Sequence, residues 1–139
     1  MNVRQIQISD FEMGLMDLLG QLTEAPNIKF EDFVKQFIKF GYNTRIYVIE
    51  HEKRIIGYGS IYIDYKFYRN CKNVGHIEDL IIDEKFRGNG YSKLIVKELI
   101  EFGKEKECYK IILNCKDHYV GFYQKMGFKL NDNTMDLRI

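Results

Sequence analysis

The sequence predicts an α/β fold in which helices flank a sheet that begins antiparallel. Apolar residues recur at helical spacing before residue 45 and again after residue 90, whereas three segments between them follow strand patterns. The first two of these strands are joined only by residues 51–54, a connection short enough for a hairpin. The 139 residues contain no repeat, linker or low-complexity tract, so we predict one domain over residues 1–139.

Two amphipathic helices are predicted in the first third of the chain, after a short strand that ends at Ser9-Asp10. The first helix runs to about Leu22, and the segment with Pro26, the only proline, separates it from the second. Gly41 is well placed to end the second helix. The predicted buried faces carry Phe11, Leu15, Leu18, Leu19 and Leu22 in the first helix, and Phe30, Phe33, Val34, Phe37 and Ile38 in the second.

Strand patterns dominate the middle of the chain, and a long helix follows them. We predict strands over residues 45–50, 55–65 and 74–82, a helix from about residue 90 to Glu107, and a strand over residues 110–115. The last of these strands is nearly continuous in its apolar residues, which is typical of a strand in the centre of a sheet. A short helix over residues 120–126 and strands over residues 128–130 and 135–139 complete the prediction.

Composition excludes several classes of protein. Lys and Arg total 21 and Asp and Glu total 20, so a net charge of +1 argues against binding to nucleic acid through bulk positive charge. A local basic pocket for a phosphorylated ligand remains compatible with this balance. The three cysteines form no CxxC pair, which predicts a reducing compartment and no metal. Since no apolar run approaches the roughly 20 residues that cross a bilayer, we predict a cytoplasmic protein without a membrane partner.

One segment, Arg87-Gly88-Asn89-Gly90-Tyr91-Ser92, lies between a predicted strand and the long predicted helix. Glycines let backbone N–H groups approach a ligand, and a helix N-terminus adds unpaired donors and partial positive charge. The segment therefore predicts a site for a phosphate or pyrophosphate, with a plain glycine turn and a solvated arginine as the alternative. It lacks the GKS or GKT of a P-loop and the GxGxxG spacing of a dinucleotide site.

This segment resembles the acyl-CoA signature of the GNAT acetyltransferase superfamily, whose Arg or Gln and two small residues wrap the pyrophosphate of coenzyme A. Arg87, Gly90 and Ser92 occupy those positions, with Ser92 in place of the usual Gly or Ala. More narrowly, four segments in order resemble the motifs of the glucosamine-6-phosphate N-acetyltransferase family. They are GHIEDL at 75–80, RGNGYSKL at 87–94, CYKIILNC at 108–115 and VGFYQKMGF at 120–128, and residues 22–23 and 137–139 match as well.

The resemblance implies the GNAT fold, an α+β arrangement in which helices flank a mixed, mostly antiparallel central sheet. It also implies acetyl-CoA as co-substrate, acetylation of glucosamine 6-phosphate on the route to UDP-N-acetylglucosamine, and a homodimer with a shared active site. The residues that it assigns to acetyl-CoA are Leu80, Ile81, Ile82, Arg87, Gly88, Asn89, Gly90, Tyr91, Ser92, Lys93, Tyr123 and Lys125.

Three residues carry the chemistry that the resemblance implies: Leu80, Tyr123 and Glu78. The Leu80 backbone receives the acetyl carbonyl, where an N–H would stabilise the oxyanion. Tyr123 gives a proton to the departing thiolate, which a phenol with a pKa of about 10 can do at neutral pH. Because Asn114 stands where family members usually carry an acid, base duty falls to Glu78 through water, or to bulk water if the amine arrives deprotonated. Since Glu78 and Asp79 are adjacent in a predicted strand, we expect their side chains to point to opposite faces.

The resemblance also implies an acceptor site with cations for the sugar phosphate, since Arg grips phosphate in bidentate fashion. On sequence alone, the cluster from Lys66 to Arg69 is equally a solvated hairpin tip. Arg138 comes from the last strand of a second subunit in this family's intertwined dimers, and Tyr119 replaces an Asn that commonly contacts coenzyme A. The acceptor residues so assigned are Thr23, Lys66, Phe67, Tyr68, Arg69, Glu78, Asp79, Asn114 and Arg138.

Two other functions stay open at this point. Asn114 favours a GNAT enzyme that acetylates a different small amine or a protein N-terminus. A non-catalytic acyl-CoA-binding module, the second alternative, would bind coenzyme A without turnover.

Overall fold

A five-stranded sheet runs through the protein with its strands in chain order. The computed structural model describes residues 2–139, and Met1, which the predicted domain includes, lies outside them. Neighbouring strands are antiparallel from β1 to β4, and β5 is parallel to β4. The predicted mixed, mostly antiparallel sheet is therefore confirmed. Its strands are β1 (Val3–Gln5), β2 (Thr44–His51), β3 (Arg54–Asp64), β4 (Asn73–Ile82) and β5 (Cys108–Leu113).

Helices cover both faces of this sheet. They are α1 (Leu15–Leu19), α2 (Phe30–Phe37), α3 (Tyr91–Glu105) and α4 (Val120–Lys125), with short 3-10 turns at Ile8–Glu12, Glu84–Phe86 and Asp117–Tyr119. The segment Tyr68–Cys71 is a left-handed turn, because φ is positive at Arg69, Asn70 and Cys71. Across residues 2–139, no helix has the length and apolar character that crossing a membrane requires.

Four predicted elements differ from the structure. The first predicted helix is broken at Gly14, whose φ of 78° separates the 3-10 turn from α1. The predicted central strand, β5, lies at the edge of the sheet, where Ile111 packs on the core while Ile112 is exposed on the other face. Within the described chain, residues 128–139 form neither of the two predicted strands, and the apolar side chains of Met135 and Leu137 are exposed.

Each face of the sheet has its own apolar core. On one face, α3 buries Ile95, Leu99 and Phe102 against strand residues such as Ile61. On the other face, Leu15 and Leu18 of α1 pack against residues of β2, β3 and β4. Fully burying one such aliphatic or aromatic side chain stabilises the fold by about 1.5–3 kcal/mol. Beyond α1 and α2 on this second face, Glu78 is exposed and Tyr62 is 42% exposed.

A buried ion pair ties the N-terminal segment to the sheet. The Asp10 carboxylate is fully buried and accepts hydrogen bonds from Arg4 Nη2 at 2.7 Å and Arg4 Nη1 at 3.0 Å. It also accepts one from the Gln7 backbone N–H at 2.8 Å. Arg4 reaches Glu50 of β2 with the same Nη2, at 2.8 Å. The negative neighbours raise the pKa of Arg4, led by the hydrogen bond with Asp10.

We predict that D10N lowers the free energy of unfolding by about 3 kcal/mol, because it leaves the arginine facing a neutral group in a buried site. Urea denaturation at neutral pH measures this change. The matched control is D17N, since Asp17 is 68% exposed and lies 3.7 Å from Arg54, so the control changes by less than about 0.5 kcal/mol. A D10N protein as stable as D17N would contradict the prediction.

Candidate active site

A β-bulge interrupts the ladder between β3 and β4. The register passes from Ser60 opposite Glu78 to Tyr58 opposite Ile81, so Gly59 alone faces both Asp79 and Leu80. Asp79 adopts a left-handed conformation, with φ at 58°, as the extra residue of the pair. Bulges of this kind redirect side chains and end regular pairing, and they are frequent next to active sites.

The bulge places both acidic side chains on one face of the sheet. Glu78 is opposite Ser60, and Asp79 lines a cavity together with Tyr58, two residues from Ser60 along β3. Residues two apart in a strand share a face. The expectation that Glu78 and Asp79 point to opposite faces is therefore wrong, because the inserted residue shifts the alternation by one. Both carboxylates are exposed on the α1 side of the sheet.

Gly59 and Ser60 support the bulge from β3. A Cβ on Gly59 would lie 2.6 Å from Ile95 Cγ2 and 3.1 Å from Leu80 Cδ1, so only glycine fits there without displacing the core. The Ser60 hydroxyl donates to the Glu78 carbonyl at 3.0 Å. Leu80 packs its side chain into the core on the α3 face. The side chains of Asp79 and Leu80 thus leave the bulge toward opposite sides of the sheet.

A cavity of about 330 Å³ lies against the bulge on the α1 side. The segment from α1 to α2 forms one wall, and Tyr58 and Asp79 form the other. Two predicted acceptor residues, Thr23 and Asp79, therefore line the same cavity. Its lining residues are Met16, Leu19, Leu22, Thr23, Glu24, Ala25, Pro26, Ile28, Tyr58 and Asp79.

β4 and β5 separate close to the bulge. Their last paired residues are Ile77 and Leu113, after which β4 continues to Ile82 while β5 ends. A groove of about 920 Å³ runs along β5 and contains Tyr123 of α4 and Asn114. The Asn114 Oδ1 atom accepts a hydrogen bond from Thr134 Oγ1 at 2.7 Å, which holds the C-terminal segment at this groove.

Tyr123 is half-buried, and its phenol is held in the protonated form. Burial raises the pKa of Tyr123 to about 12, and the neighbouring Cys115 and Tyr119 add to the effect. Its ring contacts Phe122 and Phe128 with centroids at 5.0 and 5.8 Å, which fixes the side chain on α4. The group can therefore donate a proton or hydrogen bond across the neutral range.

The glycine segment forms a cradle at the N-terminus of α3. Gly88 and Gly90 have φ values of 81° and 80°, and a Cβ on either would meet no described atom within 4 Å. Gly90 caps α3, and none of the described side chains bonds to the N–H groups of that first turn. Such N–H groups with adjacent open space are able to hold a phosphate, and the pyrophosphate contact at this segment stays a prediction.

Two side chains keep the cradle in shape. Arg87 donates from Nε to the Ile82 carbonyl at 3.0 Å, and Asn89 donates from Nδ2 to the Phe86 carbonyl at 3.0 Å. The Arg87 side chain is exposed, and its Nε–H is engaged with the protein itself. The other predicted cofactor residues lie on three elements: Ile81 and Ile82 at the end of β4, Tyr91, Ser92 and Lys93 in the first turn of α3, and Lys125 at the end of α4.

The predicted phosphate-binding cations Lys66 and Arg69 lie just after the C-terminal end of β3. Lys66 Nζ pairs with the Asp64 carboxylate at 2.8 Å, and this hydrogen bond raises the pKa of Lys66 and lowers that of Asp64. The Arg69 guanidinium lies 4.5 Å from the Tyr109 ring centroid, and Phe67 is 98% exposed. These residues and Tyr68 do not line the cavity that contains Thr23 and Asp79.

Arg138 belongs to the C-terminal segment. Its Nε atom donates to Asp136 Oδ2 at 3.1 Å, and its side chain is exposed. The structure of one chain therefore does not join Arg138 to the cluster from Lys66 to Arg69. In the described part of the chain, no three His, Cys, Asp or Glu side chains are grouped as metal ligands would be.

Two residues of the site were missed by sequence reasoning. Tyr58 lies between two glycines of β3, and its place in the alternation of that strand could have assigned it to the cavity face. Gln21 Oε1 accepts a hydrogen bond from the Glu84 backbone N–H at 2.9 Å and links the cavity wall to the segment before the glycine cradle. No local signal could have shown this second contact, because the partners are 63 residues apart.

The bulge, the separating strands and the glycine cradle on a mixed sheet define an acyl-CoA-dependent acyltransferase. The Acetyltransferase (GNAT) family model matches residues 3–128, and the chain belongs to this family.

Within this family, the chain is similar over most of its length to enzymes that share one name. The chain is 40% identical over 130 residues to glucosamine 6-phosphate N-acetyltransferase of Arabidopsis thaliana, covering 90% of this chain and 87% of the relative. It is 34% identical to the glucosamine 6-phosphate N-acetyltransferase of Trypanosoma brucei brucei, covering 99% and 95%. A crystal structure of the Arabidopsis thaliana enzyme superposes with a TM-score of 0.95 at 37% identity, over 99% of this chain and 97% of that one.

We predict that G90A weakens the binding of coenzyme A at least about tenfold. A Cβ at positive φ costs about 1 kcal/mol in the backbone and also occupies the space beside the N–H donors. Isothermal calorimetry measures the Kd. The control is G41A, because Gly41 precedes β2, has no positive φ and has ordinary space for a Cβ. Equal Kd values for coenzyme A in G90A and G41A would show that the glycine cradle is not part of the coenzyme A site.

Proposed function

We propose that the protein transfers the acetyl group of acetyl-CoA to the amine of D-glucosamine 6-phosphate, giving N-acetylglucosamine 6-phosphate and coenzyme A. The observation that carries this is the β4 bulge, which lies between an acceptor-sized cavity and a phosphate cradle. Relatives 34–40% identical over nearly the whole chain carry the name of this enzyme. Acetyl-CoA is a co-substrate that the reaction consumes.

The reaction is a direct attack by the acceptor amine on the thioester carbonyl carbon. An N–C bond forms, the C–S bond breaks, the amine loses a proton and the thiolate gains one. Leu80 lies in the bulge without a partner residue in the β3 register, so its backbone N–H is the donor that we assign to the carbonyl oxygen. Binding both substrates at the bulge supplies proximity and orientation.

Tyr123 supplies the proton that the thiolate takes. With a pKa of about 12, the phenol is fully protonated at neutral pH. Tyr123 lines the groove that runs along β5, the strand whose pairing with β4 ends at Leu113. Support for this role comes from that position and from the aromatic contacts that fix the ring.

A carboxylate, and not Asn114, accepts the amine proton, because an amide is not a base at neutral pH. Asn114 Oδ1 can still accept a hydrogen bond, although in this structure it is engaged by Thr134. Glu78 is exposed on the same face as the acceptor cavity, which supports its role as base through a water molecule. The bulge also makes Asp79 available to the acceptor from the same side.

The sugar phosphate requires cations that one chain does not bring to the cavity. We place Lys66, Arg69 and Arg138 at this phosphate, with Arg138 from a second copy in a homodimer. The exposed, alternating Met135, Leu137 and Ile139 support a C-terminal segment that pairs with another chain. The shared site, the cytoplasmic location and the UDP-N-acetylglucosamine pathway stay predictions. Transfer to a different small amine is the alternative that Asn114 favours.

We predict that purified protein with acetyl-CoA releases thiol when D-glucosamine 6-phosphate is added and at least about 100-fold more slowly with unphosphorylated glucosamine, since bidentate phosphate contacts contribute a few kcal/mol. A thiol-reactive dye follows the release. Thiol release with another amine, and none with glucosamine 6-phosphate, would be consistent with acetyl transfer but would exclude glucosamine 6-phosphate as the acceptor.

We predict that Y123F lowers kcat by about 100-fold, a loss typical of removing a general acid, without changing the Kd of coenzyme A. Since the pKa of Tyr123 is raised to about 12, its phenol stays protonated and kcat of the wild type shows no loss from this group below pH 10. Steady-state rates from pH 6 to 10 test both expectations. The control is Y42F, because Tyr42 is 80% exposed. A Y123F enzyme with wild-type kcat would exclude Tyr123 as the proton donor.

A further inference from the structure

Tyr58 forms part of the acceptor cavity but has no role in the steps above. It lies on the α1 face of β3, opposite Ile81 and next to the glycine that faces the bulge. Its ring packs against the apolar cluster of Leu15 and Leu18 and forms a wall of the cavity together with Asp79. The phenol is therefore fixed beside the point where the ladder opens.

No hydrogen bond joins the Tyr58 hydroxyl to another of residues 2–139, and this oxygen is not among the described buried atoms that lack a partner, so it is open to the cavity that Tyr58 lines. The neighbouring cavity wall is mainly apolar, with Leu19, Leu22 and Ile28 among its residues. A hydroxyl that opens into a mainly apolar cavity is free to donate to a polar ligand bound there. Burial, and secondly the charge of Asp79, raise the pKa of Tyr58 to about 12, so the group is a donor at neutral pH.

The position of Tyr58 limits which acceptor group it can reach. The attacked carbonyl lies at the bulge in the proposed reaction, and the Tyr58 backbone is one ladder position away, about 3–5 Å along or across the strands, with its side chain on the wall of the cavity. The acceptor nitrogen must reach the same carbonyl carbon. In a 2-amino sugar the amine is on C2, and the neighbouring carbons C1 and C3 each carry a hydroxyl. These two hydroxyls are therefore the polar groups of the sugar nearest to the attacking nitrogen.

We propose that the Tyr58 hydroxyl donates a hydrogen bond to one of these two acceptor hydroxyls and so selects a 2-amino sugar over other small amines. The inference rests on the proposed function, because it takes the sugar amine as the nucleophile. Tyr58 is then an acceptor-binding residue: it orients the sugar through a neighbouring hydroxyl, and Leu80 and Tyr123 act on the thioester.

The test pairs Y58F with acceptors that lack one hydroxyl. With glucosamine 6-phosphate, Y58F lowers kcat/KM about five- to tenfold, as expected for one hydrogen bond, and leaves the KM of acetyl-CoA unchanged. With the 1-deoxy or the 3-deoxy acceptor, whichever lacks the bonded hydroxyl, Y58F and wild type agree within about twofold. The other deoxy acceptor keeps the full difference. Y62F is the matched control, because Tyr62 lies on the same face of β3 and is 42% exposed.

Each outcome decides between the two proposals. A Y58F enzyme that equals wild type with glucosamine 6-phosphate, or that loses the same factor with all three acceptors, overturns the hydrogen bond while the proposed function stands. A wild-type protein that does not acetylate glucosamine 6-phosphate overturns both. Because Y58F keeps the ring that packs on Leu15 and Leu18, a thermal unfolding curve matching that of Y62F confirms that the fold is retained.

Discussion

Two residues of β4, Asp79 and Leu80, face a single glycine of β3, and the arrangement of the site depends on that mismatch. A regular ladder would engage the backbone of both residues and would send Glu78 and Asp79 to opposite faces. The extra residue leaves both acids on the acceptor side while Leu80 anchors the bulge in the core. Gly59 makes this possible, because any Cβ at that position would collide with Ile95.

In the proposed reaction, the two substrates approach this point from different elements. The cavity wall from α1 to α2 would bind the acceptor, and the cradle at the start of α3 would bind the phosphates of the donor. The hydrogen bond from the Glu84 N–H to Gln21 connects the two, so the acceptor wall and the cofactor segment share a contact outside the sheet. The Arg4–Asp10 pair fixes the start of the same wall to β2 through Glu50. The 3-10 turn and α1, which are only five residues each, are thereby held in place by a buried ion pair and by a long-range hydrogen bond.

Much of this architecture was predictable from the sequence, and the failures have physical reasons. The strands β2 to β4, the long α3 and the glycine cradle follow from periodicity and from residues that demand a particular backbone, such as Gly90. The bulge could not be read from the pattern, because GHIEDLII runs like a strand and the inserted residue is set by pairing with Gly59. The first helix was predicted too long because Gly14 breaks a pattern whose apolar spacing continues across it. β5 was placed in the centre because an apolar run does not reveal which of its sides lacks a partner.

The central claim is that the bulge presents the Leu80 N–H to the carbonyl that the amine attacks. The most direct measurement is a crystal structure with an acetyl-CoA analogue in which a methylene group replaces the thioester sulfur, so that the acetyl group cannot be transferred. We predict that its carbonyl oxygen lies about 2.7–3.1 Å from the Leu80 backbone nitrogen. A carbonyl oxygen held by a side chain instead, or a Leu80 N–H bonded to β3 while the analogue is in place, would contradict this claim.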